Sequence, residues 1–349
     1  MSGSLPQKLL PALLSGQTGK LGRVVIYSVL TAAIGVLSLY VGPADLGFWD
    51  VSNALFGAAS GDTPASIIVW DIRVPRMIMG LLVGASLGLS GAVLQGYLRN
   101  PLAEPGIIGV TSGAALGGVI AIHTGLAASS LFLLPLFGLG GAFLAVLLIL
   151  VLAGFRGSPL TLILAGVAVT SLAGALTSMV LSLSNNPFAM TEIIFWMLGS
   201  LQDRSMDHVM FGAPLILTGL GLLLATGRDV DALTLGEEGA RNLGIDLDRM
   251  RIFIVAGVAL SVGAATAIAG AIGFVGLVVP HLLRPWVGHR PGALLLVSMF
   301  GGAALVLVSD IIVRLMQPAY DLKLGVLTAL IGAPFFFYLV LKTRRDLIT

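Results

Sequence analysis

Few side chains in this sequence of 349 residues could do covalent or acid–base chemistry, and those few do not gather into a site. Cysteine is absent, which removes thiolate nucleophiles, disulfides and sulfur ligands for metal clusters. His123, His208, His281 and His289 are scattered, without the close spacing by which one helix presents two imidazoles to a metal. The stretch nearest to a phosphate-binding loop, Gly16-Gln17-Thr18-Gly19-Lys20-Leu21, lacks both the first glycine and the hydroxyl after the lysine. No catalytic residue, resident metal or cofactor is expected. The remaining polar features are arginines and acids near the ends of apolar runs, and one patterned hydrophilic segment, residues 228–251.

The elements that carry these residues follow from composition. Apolar residues make up 57% of the chain, glycine adds 46 residues, charged residues are only 10%, and the mean hydropathy is +1.02. A soluble domain carries about 25% charged residues, so this composition cannot coat a globule of such length in water. The chain reads as an all-α polytopic membrane protein, residues 1–349 forming a single transmembrane domain. A net charge of +2 is too small to imply a nucleic-acid partner.

A crossing helix needs about 20 apolar residues. The charge-free runs then give ten spans: Val24–Val41, Met77–Leu98, two within Pro105–Phe155, one within Gly157–Thr191, His208–Gly227, two within Ile252–Leu283, Pro291–Ser309 and Leu324–Leu341. The polar turn at His123-Thr124-Gly125 divides the first long run, and Gly270, Gly273 and Gly276 divide the second. Ile193–Leu201 is too short to span and reads as an interfacial or re-entrant helix. Ten spans put both termini on one side. With termini inside, the inner segments hold Lys8, Lys20, Arg23, Arg99, Arg156, Arg228, Arg241, Arg249, Arg251, Arg284, Arg290, Lys342, Arg344 and Arg345. The outer segments hold only Arg73, Arg76, Arg204, Arg314 and Lys323. Positive charge concentrates on the cytoplasmic side of membrane proteins, so both termini are expected there.

The spans lack mid-membrane carboxylates, the usual coupling element of proton- or ion-driven carriers. An energy source outside the chain is therefore expected, with an ion- or proton-coupled carrier as the alternative. Gly80, Gly84 and Gly88 line one helix face and predict close helix packing. Leu82–Leu87 and Val255–Leu260 are similar short segments five spans apart, as an inverted internal repeat would place them.

Two inner loops are patterned. In 228–251, Asp231–Gly244 reads as two short helices. Thr234 and Glu237 have capping-box spacing, Gly244 is placed to end the second helix, and Leu235, Ala240 and Leu243 are expected to project from it. Arg99–Gly106, with Pro101 and Pro105, reads as a rigid turn, either a structural corner or a gate.

Arg73-Val74-Pro75-Arg76, Gly91–Gln95, Asn100–Val110, Phe195–Ser200, Leu235–Gly244, Gly273–His281, Gly325 and Gly332-Ala333-Pro334 together resemble the FecCD-type permeases. These are the transmembrane subunits of ABC importers for ferric siderophores, haem and cobalamin. The resemblance covers nearly the whole chain. It implies a type II importer permease fold with ten spans, in the bacterial inner membrane. It implies a homodimer with the pathway at its interface, two cytoplasmic ATPase subunits, a periplasmic binding protein and a metal-chelate substrate moved by alternating access. On this likeness Leu235, Gly236, Glu237, Glu238, Ala240, Arg241, Leu243 and Gly244 couple to the ATPase. Arg73, Arg76 and Arg314 dock the binding protein, or else anchor the interface or pair locally with Asp71 and Asp310. Asn100 and Leu102 match a cytoplasmic gate. The turn near Pro159 and Leu160 would face that gate, but it lacks the hydroxyls expected there.

Overall fold

The computed structural model describes residues 17–57, 63–154, 159–316 and 320–346. Lys8 and Arg156 of the expected inner charges lie outside these residues, as do the side chains of Lys20, Lys342, Arg344 and Arg345. Every regular element among the described residues is helical.

In chain order the elements are α1 (Gln17–Tyr40), α2 (Phe48–Phe56), α3 (Pro64–Tyr97), α4 (Val110–His123), α5 (Leu133–Ala153), α6 (Pro159–Leu183) and α7 (Pro187–Met197). They continue as α8 (Met206–Ala225), α9 (Gly227–Ala232), α10 (Gly236–Asn242), α11 (Leu247–Ala269), α12 (Val275–Leu283), α13 (Pro291–Met316) and α14 (Leu324–Asp346). Among the described residues eight helices are long and apolar enough to cross a membrane, including α8 as the head of a longer helical stretch. The third and eighth expected spans are instead the shorter helices α4, of 14 residues, and α12, of nine. At about 1.5 Å per residue neither reaches across a 30 Å core alone. Backbone chemistry shortens them. Pro105–Ile108 forms a 3-10 turn that ends at Gly109 with φ 73°, and Gly270 with φ 74° followed by Phe274 with φ 67° starts α12 late.

Helices α3 and α11 form the centre, each with 78% of its apolar window buried, against 22% for the peripheral α1 and α14. They run antiparallel. Tyr97 at the end of α3 accepts a hydrogen bond at 2.9 Å from Arg251 at the start of α11, and the Ser90 and Ser261 hydroxyls meet at 3.4 Å midway. Leu82–Leu87 and Val255–Leu260 therefore sit on the two most buried spans, oppositely directed.

The glycine face of α3 packs on α13. A Cβ on Gly84 would lie 2.4 Å from the Gly302 carbonyl oxygen, and one on Gly88 would lie 2.1 Å from that of Ser298. A methyl group cannot occupy either place, so glycine here sets the interhelical distance. Gly91 meets the backbone of Gly276 in the same manner, bringing α12 onto α3.

Candidate partner surfaces and gate

At the end of the bundle bearing Arg73, the chain must satisfy the last carbonyls of α1, which have no partner within their own helix. Three arginines converge there. Arg73 donates to the carbonyls of Leu39 at 2.8 Å and Ala44 at 2.9 Å. Arg314 donates to the carbonyls of Ser38 at 2.7 Å and Val41 at 2.6 Å, and to the Ser38 hydroxyl. Cationic donors also suit the negative end of the helix dipole. Arg76 lies one turn beyond Arg73 on α3 and makes a forked contact with Asp310, Nε at 3.0 Å and the terminal nitrogen at 2.9 Å from Oδ1. Arg314 closes the triad at 3.0 Å from Oδ2 of the same carboxylate. The group thus binds α1, α3 and α13 together.

These contacts settle where the three arginines point. Arg73, Arg76 and Arg314 are 4%, 7% and 2% exposed. None presents its charge as a surface docking group would, because each is taken up by acceptors inside the chain. Of the local pairings considered, Asp310 serves two of the arginines while Asp71 stands exposed. Pro291–Ser309 is also extended in the structure. α13 runs on to Met316, so Asp310 and Arg314 lie within a helix rather than in a loop.

At the opposite end, residues 227–244 form an ordered protrusion. α9 leads through a 3-10 turn, Leu233–Leu235, into α10. The expected capping box is not made. The Thr234 hydroxyl turns back to the Asp231 carbonyl at 2.7 Å, and Leu235 becomes the residue before α10, without a side-chain cap. The expected stop is made. Gly244 takes φ 81°, its amide bonds the Arg241 carbonyl at 2.9 Å, and the Ile245 amide bonds that of Ala240 at 3.1 Å. This pair of bonds is the Schellman arrangement. Leu235 and Leu243 stand 68% and 62% exposed, whereas Ala240 is fully buried against the core. Of the three expected contacts, two leucines project and the alanine anchors. Gly236, Glu237, Glu238 and Arg241 complete the rim of the protrusion.

The turn between α3 and α4 lies beside it. Arg99, at φ 47°, ends α3 with the same pair of bonds, its amide to Gly96 and that of Asn100 to Gln95. Asn100 Oδ1 accepts from the Leu102 amide at 2.9 Å, which fixes the turn as an Asx motif. Asn100 and Leu102 are half-buried and Ala103 is fully buried. Burial pushes the Glu104 carboxyl above its ordinary range, opposed by a hydrogen bond with the Phe274 backbone. Pro159 and Leu160, where a turn was expected to face the gate, instead open α6, and residues 155–158 just before them lie outside the described residues.

Sequence reasoning did not single out one polar contact. Gln95 donates to the carbonyls of Gly276 and Leu277, both at 3.3 Å, and accepts from Arg284. It ties the glycine-rich start of α12 to α3. A side-chain amide deep in an apolar span was the available signal. His208 bonds the Ser205 amide at 3.2 Å and so caps α8, as a helix-end histidine does. Among the described residues no group of three or more His, Asp or Glu side chains could hold a metal ion.

Comparison with known proteins places this geometry. The FecCD transport family profile matches residues 30–342. The chain is 41% identical over 278 residues to the cobalamin import system permease protein BtuC of Halobacterium salinarum, covering 79% of this chain and 74% of that one. It is 36% identical over 336 residues to the molybdate import system permease protein MolB of Haemophilus influenzae, covering 96% and 97% of the two chains. A solved structure of a metal-chelate type ABC transporter in an inward-facing conformation superposes with a TM-score of 0.78 at 34% identity, covering 93% of this chain and 99% of that one.

Proposed function

The chain belongs to the FecCD transport family, and from that premise we propose that it is the membrane-spanning permease subunit of an ATP-driven importer. Two copies enclose a pathway at their interface. Two cytoplasmic ATPase subunits supply the energy, and a periplasmic binding protein delivers the cargo. The cargo is a metal chelate, of the haem, ferric-siderophore or cobalamin kind. The protein sits in the bacterial inner membrane with both termini cytoplasmic, residues 1–349 form one permease domain, and residues 228–251 are its coupling loop.

The protrusion at Gly236–Asn242 carries this reading. Leu235 and Leu243 flank this short helix, each more than 60% exposed, and present a pair of apolar contacts beside charged residues that a partner could cover. A groove on an ATPase subunit would cover Leu235 and Leu243, with Glu237, Glu238 and Arg241 setting register at its rim. Closure of the ATPase dimer would then push α10, and through buried Ala240 the core helices, toward the alternate conformation. The polar interior supports an external energy source. Among the described residues Asp310 is the one acid less than 9% exposed, and both its oxygens are engaged by arginines, while Glu104 is half-buried in the turn before α4.

In this reading the turn at Asn100 and Leu102 closes the cytoplasmic mouth, its shape held by the Asx bond. The binding protein docks at the far end, where Arg73, Arg76 and Arg314 hold the docking surface in shape from within.

The test replaces residues 237–243 by a Gly/Ser linker and reconstitutes the variant with its ATPase and binding protein. Stimulated ATP hydrolysis and cargo uptake should both vanish while the permease remains monodisperse. Persistence of either would sink the coupling assignment.

A further inference from the structure

A groove of about 640 Å³ opens beside α9, between the second turn of α1, the first turns of α13 and the last turn of α8. Its lining divides by chemistry. Val24, Leu224, Leu296 and Val297 give it an apolar floor, and Arg23 and Arg228 stand at its rim. We propose that this groove seats an anionic phospholipid, its phosphodiester between Arg23 and Arg228 and an acyl chain along the floor. This goes beyond the importer reading and depends only on the membrane-spanning architecture.

Three observations converge on that occupant. The first is charge. The lining carries two arginines and one acid, Asp231, whose Oδ1 is occupied by the Gly292 amide at 2.7 Å. The groove is therefore cationic, and guanidinium groups match a phosphate better than any other side chain does. The second is depth. The Arg23 guanidinium donates to the carbonyl of Trp286, whose ring is 61% exposed. Tryptophan and arginine at helix ends mark the membrane–water interface, where a headgroup sits. The third is continuity. The groove runs into the outward face of α1, where Val25, Ile26 and Val29 are half or more exposed, so an acyl chain leaving it stays on apolar surface. Basic pockets between helices at this level are a general form of anionic-lipid site. The segment before α1 is not of matching charge, since residues 1–16 contain Lys8 and no acid.

The test uses the purified protein in a neutral detergent, with thermal unfolding followed by intrinsic fluorescence. Phosphatidylglycerol is added in one arm, phosphatidylcholine of the same acyl chains in a second, and inorganic phosphate in a third. The expected result is a higher Tm with phosphatidylglycerol alone. That difference shrinks in Arg228→Gln, whose side chain is exposed, and disappears in Arg23→Gln/Arg228→Gln. It persists when residues 1–16 are deleted. Equal shifts with both lipids, or selectivity unchanged in the double variant, would overturn the proposal. A shift reproduced by phosphate alone would make this a small-anion site and overturn it too. Selectivity that appears only after removal of residues 1–16 would name that segment as the occupant instead. Should the double variant fail to stay monodisperse, Arg228→Gln alone decides, and an undiminished lipid difference there counts against the site.

Discussion

Replacing Asp310 by alanine removes the only anion from a cluster that holds three helices. The carboxylate is 1% exposed, receives three hydrogen bonds from Arg76 at 2.9–3.1 Å and faces Arg314 at 3.0 Å. Its loss leaves two guanidinium groups facing each other in a site sealed from water. Breaking a buried ion pair by deleting one partner costs about 3–5 kcal/mol, because the surviving charge stays desolvated. A single charge pair at about 4 Å and an effective dielectric constant near 20 gives about 4 kcal/mol, so the two routes agree. Arg314 keeps its carbonyl acceptors on α1, which argues for the lower half of that range. A loss of about 3 kcal/mol lowers the folded-to-unfolded ratio by roughly a hundredfold. The assay is reversible unfolding in mixed micelles titrated with sodium dodecyl sulfate, comparing wild type, Asp310→Ala, Arg76→Met and the double variant. The double variant should recover part of the loss, since it removes one of the stranded cations together with the anion. A change below about 1 kcal/mol for Asp310→Ala, of the size typical for an ordinary surface substitution, would refute the reasoning.

Other consequences are as direct. Gly88→Ala would set a methyl carbon 2.1 Å from the Ser298 carbonyl oxygen and should destabilise by about 1–3 kcal/mol. Gly174→Ala, with nothing within 4 Å, should be neutral or stabilising by up to about 1 kcal/mol in the same unfolding assay. Gly244→Ala places a side chain at φ 81° and should cost about 1–2 kcal/mol locally, read as a several-fold loss of ATPase stimulation with normal assembly. Burial raises the Glu104 carboxyl in the folded state, so the folded chain binds the proton more tightly than the unfolded one. Stability should then rise as pH falls through that raised value. Glu104→Gln should melt higher than wild type at pH 8, and the gap should close on acidification. A gap independent of pH would contradict the assignment.

The sequence made the membrane class, the long spans and the protrusion legible, because each depends on local pattern. Long apolar runs bounded by charges locate α8 within two residues at each end and the starts of α13 and α14 to the residue, although α1 begins and α13 ends about two turns further out, and Gly244 marks the stop of α10. What escaped depends on contacts between distant residues or on fine backbone geometry. Arg76 and Asp310 are 234 positions apart, and nothing in their spacing indicates which charges face inward. Thr234 has the correct offset for a capping box, yet its hydroxyl finds the nearer Asp231 carbonyl within a 3-10 turn. Ala240 lies in a short helix flanked by two exposed leucines but turns to the core. The nine-residue α2, with Phe48 and Trp49 exposed and Val51 buried, is too short to register as a span. The π-helical stretch Ile68–Arg73 inside α3 carries Arg73 into the helix, where charge alone suggested a loop.

In the proposed function the driving force enters through the protrusion from a separate ATPase. The most direct measurement is uptake of the chelate retained by the partner binding protein, into proteoliposomes carrying this chain with and without its ATPase. ATP and a protonophore are varied independently. Uptake should require both the ATPase and ATP hydrolysis and be indifferent to the protonophore. Uptake by this chain alone, driven by an ion gradient and abolished by the protonophore, would contradict it.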